Sequence, residues 1–65
     1  MKLYINDEIK HIRCTTLAEL LDVLDYKGSA FATAIDGVFV PRQQRGAVAL
    51  SDGMKIEIVS PMQGG

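Results

Sequence analysis

The 65-residue chain has one cysteine, one histidine and no tryptophan. A lone thiol forms no internal disulfide, and Cys14 with His11 cannot make a metal cluster, so no metal site is expected. Charge of neither sign is in excess: seven Lys and Arg stand against eight Asp and Glu, for a net charge of −1. No basic stripe stands out, which argues against nucleic acid as a partner. No run approaches the ~18 apolar residues of a membrane-spanning helix. Met1 to Asp7 lacks the apolar stretch of a signal peptide. A soluble, cytoplasmic protein that binds no membrane is expected. Length excludes more. A chain near this size buries only about 60% of the surface its unfolded form exposes, with little room for a ligand pocket of about 300–1,000 Å³. That favours a module acted on by others over an enzyme. Internal repeats and low-complexity segments are absent.

What is present is a clear order of elements. Met1, Leu3 and Ile5 alternate with Lys2, Tyr4 and Asn6, as in a half-buried strand. Asn6-Asp7-Glu8 is a turn signal, and Ile9 to Cys14 reads as the second arm of a hairpin. Ile12 and Cys14 share a face there, but Ile9 is out of phase with them, which a bulge would resolve. Thr16 and Glu19 have capping-box spacing. Leu17, Leu20, Leu21 and Leu24 follow at i, i+3, i+4 and i+7 and predict one apolar helical face, stopped at Gly28. Each buried Leu is worth about 2 kcal/mol, making this face the largest block of the core.

Phe31 to Ile35 reads as a third strand, Asp36-Gly37 as a hairpin turn, and Val38 to Val40 as a fourth strand ended by Pro41. Arg42 to Gly46 reads as a polar crossing segment. Ala47 to Leu50 fits either a short strand or a packed loop. After the Ser51-Asp52-Gly53 turn, Lys55 to Val59 alternates as the last strand, with Ile56 and Ile58 on one face. The expected class is α+β, with one helix across one face of a single mixed sheet of about four or five strands. The order is ββαβββ. Residues 1–60 form the domain and 61–65 a flexible tail ending in Gly64-Gly65. A terminal diglycine has no side chains to obstruct its passage through a narrow channel and presents a carboxylate at its end. A frayed polar end is the simpler reading of the tail taken alone.

Three stretches carry a resemblance: 34–42 (Ala-Ile-Asp-Gly-Val-Phe-Val-Pro-Arg), 50–53 (Leu-Ser-Asp-Gly), and Ile56 to Val59 leading to Gly64-Gly65. Their order and spacing resemble the ThiS-type sulfur carriers of thiamine biosynthesis, ubiquitin-like β-grasp proteins, over essentially the whole chain. Two positions depart from the family's usual pattern. Arg45 stands where a tryptophan is frequent, and Met54 where an acidic residue is frequent.

The resemblance implies a cycle. A carboxylate is a poor electrophile, so an E1-like (ThiF-type) adenylyltransferase would use ATP and Mg to adenylate Gly65. Sulfur from a persulfide donor would convert the adenylate to a thiocarboxylate. Thiazole synthase (ThiG-type) would take that sulfur into the thiazole of thiamine. The chain would be a cosubstrate, monomeric alone and holding no cofactor. Gly65 would react and Gly64 give clearance; no processing would be needed. The family's docking through the open sheet face and the surface near the tail makes Phe39, Arg42 and Val59 partner-binding candidates. Two other readings stay open: a carrier of the molybdopterin-synthase type, and a ubiquitin-like modifier or binding module.

Other residues have plainer readings. Cys14 fits a small buried hydrophobe, although a helix start nearby can favour a thiolate. His11 reads as a solvated strand residue, Asp22 and Asp25 as an exposed acidic face, and Met54 and Met62 as turn and tail packing.

Overall fold

The computed structural model describes residues 1–26 and 31–60. Period-two alternation produces the first strand, β1 (Lys2–Ile5), whereas β2 (Glu8–His11) has no apolar inward face and is held by its ladder to β1. Asn6 and Asp7 join them with φ of 50° and 69°. Two consecutive positive-φ residues match the right-handed twist of a tight hairpin. The β1–β2 register runs unbroken from Lys2 opposite His11 to Ile5 opposite Glu8. There is no bulge. Ile9 lies opposite Tyr4 on the uncovered face, 56% exposed, while Ile12 and Cys14 come after the strand has ended. Two local conformations, rather than one faulted strand, explain the phase change.

The helix, α1 (Leu17–Val23), starts as its sequence predicts. Thr16 Oγ1 accepts a hydrogen bond from the Glu19 amide at 3.2 Å. The Glu19 carboxylate accepts from the Thr15 amide, one residue earlier than in the usual capping box. Leu17, Leu20 and Leu21 are buried, and Leu24 packs partly against the core. The end differs from the expectation. The helix stops before Gly28, which lies outside the described residues. Asp25 takes φ 66°, its amide donates to Asp22 O at 3.1 Å, and the Tyr26 amide donates to Leu21 O at 2.8 Å. This is a Schellman cap with an aspartate in the left-handed position that glycine usually fills.

The remaining strands are β3 (Ala32–Ile35), β4 (Val38–Val40) and β5 (Lys55–Val59). Asp36 and Gly37, at φ 50° and 85°, close the β3–β4 hairpin. The sheet order is β2-β1-β5-β3-β4, with β1 and β5 parallel at its centre. The Asn6 side chain extends that central pairing. Its amide nitrogen donates to Ile58 O at 3.1 Å, and its oxygen accepts from the Ile58 amide at 2.8 Å. Helix and sheet enclose Leu3, Ile5, Leu17, Leu20, Leu21, Ile56 and Ile58 in a two-layer core.

Arg42 to Gly46, expected to be a polar crossing, lies within a 3-10 helix (Arg42–Ala47) that buries Arg45. The segment from Ala47 to Leu50 is a packed loop with a single bridge from Ala49 to Thr16. Val48 O takes the Leu17 amide at 3.0 Å, and the Leu50 amide donates to Thr15 O at 2.9 Å. The loop thereby satisfies part of the helix's unpaired start.

Candidate functional site

The alternation that buries Ile56 and Ile58 puts Lys55, Glu57 and Val59 on the opposite, uncovered face of the sheet. Ladder partners share a face. Ala34 lies between Phe39 and Glu57, and Ala32 lies opposite Val59. Phe39 and Val59 therefore flank β3 from opposite sides with only alanines between them. Phe39 is 63% and Val59 59% exposed. Small central residues leave the two larger apolar side chains standing above the sheet. Elsewhere this face is mixed, with Lys2, His11, Lys55 and Glu57 beside Tyr4 and the exposed Ile9.

The structure thus brings Phe39 and Val59 onto one surface, at the end of β5 from which the chain continues towards Gly64 and Gly65. Those two glycines lie outside the described residues. Arg42, the third docking candidate, is exposed but lies on the helix side, in a groove it shares with Leu21, Asp22, Tyr26, Phe31 and Arg45.

Arg45 carries a role that its sequence neighbourhood conceals. It is 7% exposed. Its Nε donates to Thr33 Oγ1 at 3.2 Å, and its Nη2 donates to the Phe31 carbonyl at 3.0 Å. Thr33 Oγ1 in turn donates to Val40 O at 3.1 Å. The guanidinium carbon sits 4.5 Å from the Phe31 ring centre, within cation–π range. One side chain ties the 3-10 helix to β3 and β4. Burial, with Arg42 adding repulsion, pushes the Arg45 pKa down from its ordinary value. In the sequence Arg45 looks like one more polar residue of a loop; its position four residues after Pro41 was the available signal.

Cys14 is buried at 6% exposure. Burial first, then the Glu19 carboxylate, raises its thiol pKa, against a smaller lowering by the N-terminal ammonium. The thiol is protonated at neutral pH, the setting of an inert core cysteine. His11, Asp22 and Asp25 are exposed. No group of three or more potential metal-binding side chains occurs among the described residues. Among them, too, no helix is long and apolar enough to cross a membrane. Three surface grooves of about 320–370 Å³ hold neither the histidine nor the cysteine.

Comparison with known proteins places this geometry. Among curated proteins, none matches. Among solved structures, the chain is similar to the thiamine biosynthesis protein ThiS of Geobacter metallireducens. The TM-score is 0.85 at 23% identity, with both chains covered in full. That likeness shows the fold: the mixed sheet with one helix is the β-grasp that the sequence resemblance implied. The ThiS family model matches residues 3–65, through both terminal glycines. The chain belongs to the ThiS family, the sulfur carriers of thiamine biosynthesis.

Proposed function

We propose that this protein carries sulfur for thiazole formation on the carboxylate of Gly65, as a cosubstrate and not as an enzyme. The observation that carries the reading is the family match, which runs through Gly64 and Gly65. An E1-like adenylyltransferase joins the Gly65 carboxylate to the α-phosphorus of ATP, with Mg, and pyrophosphate leaves. The acyl-adenylate now has a stable leaving group. The terminal sulfur of a persulfide attacks the acyl carbon and AMP departs. Cleavage of the resulting S–S bond by a thiol leaves a thiocarboxylate on Gly65. That sulfur is a strong nucleophile, and thiazole synthase consumes it.

The chain's own contribution is recognition and clearance. Phe39 and Val59 give partners an apolar handle on the uncovered face of the sheet, and Arg42 adds a charge on the helix side. Gly64 lets the tail enter a channel that a side chain would obstruct. Replacement Gly64→Val is expected to fold normally and to fail in adenylate formation with ATP and the cognate activating enzyme. Normal adenylation of that variant contradicts the channel reading.

A further inference from the structure

The 3-10 helix concentrates positive charge in one place. With three residues per turn, positions three apart eclipse each other, so Arg42 and Arg45 lie in one row beside the same groove of about 320 Å³. Arg45 is more than nine-tenths buried, and its described hydrogen bonds go to a hydroxyl and a carbonyl, both neutral. Asp22 lines the same groove but forms no salt bridge with it among the described residues. A buried cation held by neutral acceptors, with a second cation next to it, is an arrangement that an incoming anion stabilises.

The guanidinium's orientation limits what that anion can be. Its carbon lies 4.5 Å from the Phe31 ring centre, its Nε is taken by Thr33, and one Nη2 bond by the Phe31 carbonyl. The Nη1 N–H groups have no partner among the described residues. No side-chain nitrogen there is sealed off without one, so these donors keep access to solvent, and Arg45 is among the residues that line the groove. A fork of N–H donors matches a planar carboxylate. Leu21, Tyr26 and Phe31 provide apolar wall for a methylene stem. Asp22 at the same groove, and a net charge of −1, disfavour a more highly charged group. The location is also informative. Phe31, whose carbonyl Arg45 holds, immediately precedes Ala32, the ladder partner of Val59. The groove opens at the end of the sheet from which the tail departs.

We propose that the groove between α1 and the 3-10 helix is a carboxylate-binding site that receives an Asp or Glu side chain of the protein into which the tail inserts. Only the choice of partner rests on the carrier reading; the carboxylate site itself does not.

The test uses the full chain, isotope-labelled and titrated by NMR at low ionic strength. The probes are acetyl-Asp-Glu-Asp-amide, its uncharged counterpart acetyl-Asn-Gln-Asn-amide, and inorganic phosphate. The acidic peptide is expected to shift the Arg45 Nε–H and Gly46 amide signals saturably, and the uncharged peptide to leave them unmoved. Affinity is expected to fall about tenfold or more in Arg42→Gln and in Arg45→Gln, as the loss of a charge-assisted hydrogen bond implies. If Arg45→Gln does not fold, exposed Arg42→Gln decides alone. Equal shifts from both peptides, undiminished shifts in the variants, or a stronger response to phosphate than to the acidic peptide overturn the proposal. No activating enzyme takes part, so a negative titration leaves the Gly65 chemistry standing.

Discussion

Val59 pairs with Ala32 in the β3–β5 ladder, one residue beyond the Phe31 carbonyl that holds Arg45. This pairing fixes the last described strand to the part of the sheet that the buried guanidinium braces. The position of Val59 is therefore set by the core and by Arg45 together.

Replacement Arg45→Ala is expected to lower stability by about 2–3 kcal/mol. It removes hydrogen bonds from a charged donor and leaves the Phe31 carbonyl short of a partner. In a domain of this size the melting temperature falls by roughly 10 °C or more. Exposed Arg42→Ala is expected to stay within about 0.5 kcal/mol of wild type. Urea denaturation of both variants checks the contrast; equal effects would show that Arg45 is not a brace.

Two glycines separate backbone strain from space. A Cβ at either Gly37 or Gly46 would meet nothing within 4 Å, but only Gly37 has a left-handed φ, 85°. Replacement Gly37→Ala is expected to cost about 1–2 kcal/mol. Replacement Gly46→Ala, without that strain, is expected to be neutral or stabilising by up to about 1 kcal/mol. Thermal unfolding distinguishes them, and a larger loss at Gly46 contradicts the assignment.

These outcomes bear on how much the sequence disclosed. Alternation in β1 and β5, the Leu17-Leu20-Leu21 face and the Asp36-Gly37 turn were legible because local pattern and tertiary burial agree there. The helix stop was not: Asp25 adopts a conformation associated with glycine, so the composition signal pointed to Gly28. Ile9 puzzled the phase because an exposed face also accepts apolar residues. Arg45 was hidden because its burial depends on Thr33, Val40 and Phe31, all distant in sequence. For the site, Val59 was readable as opposite Ile56 and Ile58 by alternation, whereas Phe39 was a candidate only through the resemblance, because three residues of β4 do not show which face is buried. That Arg42 sits on the other side of the sheet depended on the 3-10 helix.

Cys14 gives a pH prediction. Its thiol pKa is raised in the folded state. Stability from this group is therefore fully present below the unfolded value of ~8.5 and is lost as pH rises through the raised folded value. The unfolding free energy is expected to decline above about pH 8.5, and less steeply in Cys14→Ala. Denaturant titrations across pH 7 to ~10 check this. Parallel slopes for the two proteins would remove Cys14 as the cause.

The apolar handle predicts a separation of stability from function. Phe39 is mostly exposed, so Phe39→Ser is expected to change stability by no more than about 0.5 kcal/mol. The same variant is expected to raise the concentration needed for half-maximal adenylation by about tenfold, in the range found for interface anchors. Unchanged adenylation kinetics would move the docking surface elsewhere.

The most direct test of the sulfur-carrier account is the intact mass of the protein isolated from its own cell under thiol-preserving conditions. The account predicts a fraction heavier by one oxygen-to-sulfur exchange, localised by fragmentation to Gly65 and absent when Gly65 is deleted. A protein recovered only as the plain carboxylate from cells actively making thiamine, or joined through Gly65 to lysines of other proteins, would contradict it.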